Sequence, residues 1–274
     1  MKTLLQILPW GLVVFYAVSF RYYLTYFLRG EAQIGPKVRL WFVVSVILHS
    51  LYLVLLGVHL DHLPVGNLFQ VLTSFAWLLV VVYLYLELRL KEMTMGVFLL
   101  PIVLLFHIVS TLLLNLDQPL ATVLSDMLFE VHVAFIISAY AAFTISFITS
   151  TMYLLLSHEM HSKELGIFFQ RLPSLEFFES ISNQSINIGF VLIAIGFILG
   201  LEMGLELWEG QWYTEPKLLS VIAALVIYLI HIVTRRSMGW RGKRAAIISI
   251  IGFTWLFTSM TIVNLFFTRF HKFQ

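Results

Sequence analysis

The chain has 274 residues, of which 60% are hydrophobic and only 12% charged, with a net charge of +2 and no cysteine. A soluble domain carries about a quarter charged residues, so the composition excludes a soluble globular protein, and the small net charge gives no footing to a nucleic-acid partner. The lack of cysteine excludes disulfides, thiolate metal sites and cofactor attachment through a CxxCH motif.

Apolar segments near 20 residues recur along the whole length. Each is long enough to cross a hydrocarbon core of roughly 30 Å as a helix. The expected fold is all-α: a polytopic integral membrane protein of about eight transmembrane helices, forming one transmembrane domain over residues 1–274. In chain order the spans are 4–27, 38–60, 68–88, 95–115, 129–156, 185–207, 217–236 and 244–267. The first lacks a basic leader and a small-residue cleavage site, so it reads as a retained helix and not as a removed signal peptide. Lys and Arg concentrate in the odd-numbered loops, most densely in "RRSMGWRGKR", whereas the second and fourth loops hold none and the sixth only Lys217. By the positive-inside rule the odd loops face the cytoplasm and both termini face outward. The expected location is a bacterial inner (cytoplasmic) membrane.

Nine histidines stand out in so apolar a chain. His49 and His107 fall inside spans two and four, and His59 near the outer end of span two. A polar side chain at such depth faces the bundle interior and most often bonds a neighbouring helix. His62 lies in the outward loop "DHLPVGN", and His132 at the outer end of span five in "FEVHVAF". His158 and His161 are solvated in a cytoplasmic loop. That loop continues as "GIFFQRLPSLEFFESI", either an amphipathic segment on the inner surface or a connector ending at Pro173. Span six carries Gly196, Gly200 and Gly204 at four-residue spacing, a small-residue ridge that lets another helix approach closely. His231 sits in span seven, toward its cytoplasmic end. His271 lies at the outer end of span eight in "TRFHKF".

Between spans six and seven runs "WEGQWYTEPK", residues 208–217, which crowds two tryptophans, a tyrosine, two glutamates and a proline. One reading is an interfacial belt, because amphipathic Trp and Tyr favour the headgroup level. Pro216 then serves only as a first-turn residue of span seven. The other reading joins the loop to His132 and His271, which the span count places at the same outer level. Two neutral imidazoles across an aromatic platform are what a planar iron porphyrin requires. Zinc fits less well, because neither histidine has a second imidazole or a carboxylate at helical spacing.

These stretches resemble the cytochrome c assembly proteins of the CcsA/ResC/CcmC type, whose outward loop reads WGxxWxWDPKE. Trp208, Trp212, Pro216 and Lys217 fall in register with it. "HVAFIISAYA" from His132 is similar to the family's HVxxxxxSYA, and "VNLFFTRFH" ends at His271 where the family has its second outer histidine. "IYLIHIVTRR" and "GWRGKRA" match the helix that carries a third, here His231. "RLPSLE" and "DHLPVGNLFQ" also resemble family stretches, so the family-like core runs from about residue 57 to 274. The loop departs from the pattern at Glu209, Thr214, Glu215 and Leu218, which stand where the family has Gly, Trp, Asp and Glu.

The resemblance implies a protein that handles haem, b-type and non-covalently held, and presents it at the outer face for cytochrome c assembly. His132 and His271 would be the axial iron ligands, with Trp208 and Trp212 as the platform. Tyr213 and Lys217 would bond or pair with the propionates, and His62 would join the cofactor-binding set. His231 would be a lower ligand for haem entering from the cytoplasmic side. The implied partners are a ResB/CcsB-type membrane protein and apocytochrome c, and the chain itself would be no enzyme. An alternative with the same architecture is a HemX-like regulator of haem biosynthesis acting on glutamyl-tRNA reductase. A proton-coupled transporter has less support, because no inverted repeat and almost no mid-span acid is present.

Overall fold

The computed structural model describes residues 1–117, 126–162, 166–207 and 215–262. Among them there is no strand, and six helices are long and apolar enough to cross a membrane. The protein is a polytopic, all-α membrane protein. Its helices form two compact units, Met1–Leu120 and Ala121–Gln274.

The first unit holds α1 (Lys2–Arg29), a 3-10 turn (Ala32–Ile34), α2 (Gly35–Leu60), α3 (Leu68–Leu90) and α4 (Gly96–Leu112). Their ends follow from local chemistry. Gly30 closes α1 in the left-handed conformation, with its N–H on the Tyr26 carbonyl. Pro36 sits in the first turn of α2, where its missing N–H costs nothing. Asn67 caps α3 by accepting from the Gln70 N–H at 3.1 Å, and the Gln70 side chain accepts from the Gly66 N–H at 2.7 Å. That reciprocal arrangement satisfies two otherwise orphaned donors. Helices α1 and α4 pack together, with α2 against α1 and α3 against α4.

A chain of hydrogen bonds runs through this unit's interior. Its direction is set by the Pro9 carbonyl, which can only accept. His107 Nε2–H donates to that carbonyl at 3.2 Å, so His107 Nδ1 accepts from the Thr73 hydroxyl at 3.3 Å. Thr73 Oγ1 then accepts from His49 Nε2–H at 3.0 Å, and His49 Nδ1 accepts from the Tyr16 hydroxyl at 2.8 Å. All four side chains are buried. At the other end of α3, buried Glu87 accepts from Tyr23 and faces Arg39 at 3.5 Å.

The second unit holds α5 (Met127–Ser162), α6 (Ile167–Arg171), α7 (Leu175–Leu207), α8 (Pro216–Ser237) and α9 (Lys243–Ile262). Helix α5 packs along α7 and α9, and α8 packs against α7 and α9. The core is Ala139, Phe143, Ile186, Ile193, Ala224, Tyr228 and Leu256. Phe143 and Tyr228 stack nearly parallel, centroids 3.8 Å apart. Hydroxyls tie the helices together: Ser146 bonds Ser182 at 2.9 Å and Ser249 at 2.7 Å, and Ser150 bonds Ser182 at 2.9 Å. With every partner inside the unit, these bonds act as polar glue between helices.

Each of the eight expected spans overlaps a helix; six helices are long and apolar enough to cross a membrane, α4 has only 17 residues, and residues 263–267 of the last expected span lie outside the described residues. The largest difference is α7, which begins ten residues before the expected 185. Pro173 stops the preceding segment, and the Ser174 hydroxyl accepts the Phe177 N–H at 3.3 Å. Nothing from Leu175 onward breaks a helix. The stretch expected as a surface segment or connector is therefore α6 plus the first turns of α7.

Candidate functional site

His132 stands in the second turn of α5, and its ring lies against α7. The Nδ1 atom is 2.7 Å from the Gly196 carbonyl oxygen. A carbonyl only accepts, so Nδ1 carries the proton and Nε2 keeps its lone pair. In that tautomer the Nε2 lone pair is able to accept a hydrogen bond or to ligate a metal, and the ring is oriented by a backbone bond at its other nitrogen. The room for the ring comes from Gly200, where an added Cβ would lie 2.5 Å from His132 Cε1. One turn earlier, Gly196 receives the Ile136 side chain, whose tip would be 2.7 Å from a Cβ. The glycine ridge thus seats a histidine as well as a helix.

Lys217, in the first turn of α8, is half-buried and within electrostatic reach of His132. Glu215 immediately precedes α8 and is buried. Burial pushes its carboxyl above the usual carboxylate range, and the neighbouring Lys217 draws it back. The described residues therefore bring together His132, Glu215 and Lys217 at one end of the unit. Trp208, Trp212, Tyr213 and His271 lie outside the described residues. His62 belongs to the first unit, where its Nδ1 bonds the Leu63 carbonyl at 2.6 Å.

A second cluster lies farther along α8. His231 is fourteen residues beyond Lys217, roughly 21 Å along the helix axis. It is buried, and among the described residues neither ring nitrogen has a hydrogen-bond partner. The pocket around it is lined by Ser150 and Tyr153 of α5, Glu179 and Asn183 of α7, Arg235 of α8 and Ala245 of α9. Arg235 and Glu179 form an ion pair at 2.6 Å. Between the two clusters, the Phe143–Tyr228 stack fills the interior, and the Tyr228 hydroxyl is buried without a hydrogen-bond partner among the described residues.

The pattern of the family described as Cytochrome C assembly protein matches residues 65–271, three quarters of the chain. The chain belongs to the cytochrome c assembly protein family. Its similarity to individual members is modest and long. It is 28% identical to the cytochrome c biogenesis protein CcsA of Mesostigma viride, over 77% of each chain. It is 29% identical to a protein of that name from Prochlorococcus marinus, over 81% of this chain and 79% of the relative. A third CcsA, from Chlorella vulgaris, is 25% identical over 82% and 81%.

The family match begins in the loop before α3 and takes in His132, His231, Lys217 and the whole glycine ridge. It leaves α1 and α2 outside. Two features of this family member were not anticipated from its sequence. One is the use of Gly196 and Gly200 to hold His132. The other is the pairing of Glu179 with Arg235 beside His231. A hint of the second was available: "RR" directly follows the His231 segment, and Glu179 is an acid just ahead of an apolar span.

Proposed function

We propose that the chain binds b-type haem without a covalent link and presents it at the outer membrane face for cytochrome c assembly. The observation that carries this reading is the His132 imidazole, fixed by the Gly196 carbonyl with Nε2 left as a ligand. Haem iron accepts two axial nitrogen donors. His132 supplies one and His271 the other. Trp208, Trp212 and Tyr213 cover the ring, and Lys217 meets a propionate. His231, buried with neither nitrogen hydrogen-bonded among the described residues, suits a ligand for haem on the cytoplasmic side. The relatives from Mesostigma and Prochlorococcus are called cytochrome c biogenesis proteins, which supports the assembly role. A ResB/CcsB-type membrane protein and apocytochrome c are the partners that this role requires. The chain's own side chains break no bond, so it acts as a carrier and not as an enzyme.

The test is the visible spectrum of protein purified from cells supplied with ample haem. Bis-imidazole ligation gives a low-spin spectrum with sharp bands on reduction. Protein containing no haem overturns the reading.

A HemX-like regulatory role, acting on glutamyl-tRNA reductase, is favoured by one observation. The loop lacks the family's third Trp, with Thr214 in its place, and carries Glu215 for Asp. Co-purification separates the two: a ResB-type partner supports assembly, and glutamyl-tRNA reductase supports regulation.

A further inference from the structure

The His231 pocket holds two features with opposite needs. His231 is buried, and among the described residues neither ring nitrogen has a hydrogen bond of normal geometry. The carboxylate of Glu179, in contrast, is fully engaged. Its Oε1 accepts from Arg235 Nη1 at 2.6 Å and its Oε2 from the Gly242 N–H at 3.1 Å. Gly242 has φ +63, a conformation in which an L side chain is strained, and a Cβ there would also meet the Tyr153 hydroxyl at 2.7 Å. The turn aims its N–H at Glu179 just before α9, a 20-residue helix whose N-terminal amides favour an anion. The Glu179 and Arg235 side chains are about four-fifths buried, at 21% and 20% exposure. Glu179 therefore occupies a built anion seat of guanidinium, backbone amide and helix terminus.

We propose that this seat takes a carboxylate of the ligand bound at His231, and that Glu179 keeps it closed until that carboxylate displaces it. The proposal rests on the haem reading and names the subsite for a propionate. Arg235 follows His231 by one helical turn, so the iron ligand and the carboxylate seat lie on one face of α8. Exchange of one carboxylate for another conserves the hydrogen bonds of Arg235 and Gly242. It also avoids leaving a buried guanidinium unpaired, the costly outcome when one member of such a pair is simply removed. The cavity itself is small, about 10 Å³ or room for one water, so the pocket is closed to a porphyrin as it stands.

The test is a titration of the purified full-length protein in detergent with haem and, separately, with haem dimethyl ester, which has no free carboxylate. Binding at this site is the part of the Soret change lost in His231→Gly. In the unaltered protein, haem should bind there roughly tenfold tighter than its ester, the factor for one charge-assisted hydrogen-bonded pair. Glu179→Gln, which removes the competing charge and keeps the shape, should tighten haem and leave the ester unchanged. Arg235→Gln should bring haem down to the level of the ester. Equal binding of haem and ester by the unaltered protein overturns the carboxylate seat, and this comparison needs no variant to fold. Weaker haem binding in a folded Glu179→Gln protein makes Glu179 a brace and overturns the displacement. If no Soret change depends on His231, the haem reading fails at this site and the inference falls with it.

Discussion

Gly200 and His132 occupy one another's space: a Cβ on Gly200 would lie 2.5 Å from the His132 ring. The ring is also bonded to the Gly196 carbonyl one turn away, so it has no room to slide without losing that bond. Gly200→Ala should therefore turn the imidazole out of line while the protein still inserts. Loss of such an orienting contact costs about 10–100-fold in metal affinity, and haem titration should show a loss of that order. Gly11→Ala, with open space around it, should bind as the unaltered protein does. A Gly200→Ala protein with undiminished haem affinity would separate His132 from the ligand role.

The proposed axial pair makes a distinct prediction. Replacing His132 or His271 with Gly opens a coordination position that free imidazole fits. Each single variant should lose the low-spin spectrum and regain it on addition of imidazole. His161→Gly should behave as the unaltered protein, because that ring is bonded to the Ser157 carbonyl of its own helix. Wild-type spectra from both outer variants would dismiss the pair.

In the first unit, Thr73 is the hinge of the buried chain from Tyr16 to Pro9. Its one hydroxyl accepts from His49 and donates to His107. Thr73→Val preserves shape and orphans one nitrogen on each ring. An orphaned buried group costs about 1–3 kcal/mol, so thermal unfolding in detergent should show a loss of at least about 2 kcal/mol. Thr25→Val, which removes only a bond to the Arg21 carbonyl within one helix, should stay within about 0.5 kcal/mol. Equal stability of the two variants would mean that the chain is not a structural network.

The helices were legible because a long apolar run marks a helix, and among the described residues each expected segment overlaps one. What was not legible is what faces what. A small-residue ridge marks a face of α7 but does not say that the ring of His132, far earlier in the chain, rests on it. Likewise Glu179 and Arg235 are 56 positions apart, and periodicity within a helix carries no information about the helix opposite. The early start of α7 escaped for another reason. Phe177, Phe178 and Ile181 fall in the stretch expected as an amphipathic surface segment or a connector ending at Pro173, although Ser174 after Pro173 is a cap signal.

Orientation follows from the basic residues. With Arg235, Arg236, Arg241, Lys243 and Arg244 in the last turn of α8, the first turn of α9 and the short connection between them, that end should lie in the cytoplasm. A reporter active only outside the cytoplasm should be silent when fused there and active when fused after Pro119. Activity at the Arg235–Arg244 loop would reverse the chain and place His132 on the inner side.

The loop before α8 tests the platform itself. If Trp208 and Trp212 only anchor the interface, Trp→Leu at both should leave haem content unchanged. If they cover a porphyrin face, haem content should fall while the protein still inserts. The departures from the family pattern sharpen this choice. Glu215 is buried beside Lys217 and carries one methylene more than the family's Asp, and Thr214 offers no ring face. Thr214→Trp with Glu215→Asp restores both features at once. Base–aromatic stacks are worth about 1–3 kcal/mol each, and a porphyrin face of similar character should gain comparably. Haem retention during washing should then lengthen several-fold or more. Unchanged retention, with Trp208 and Trp212 insensitive to Leu, would assign the loop to the interface and leave His132 to be explained by its contacts on α7 alone.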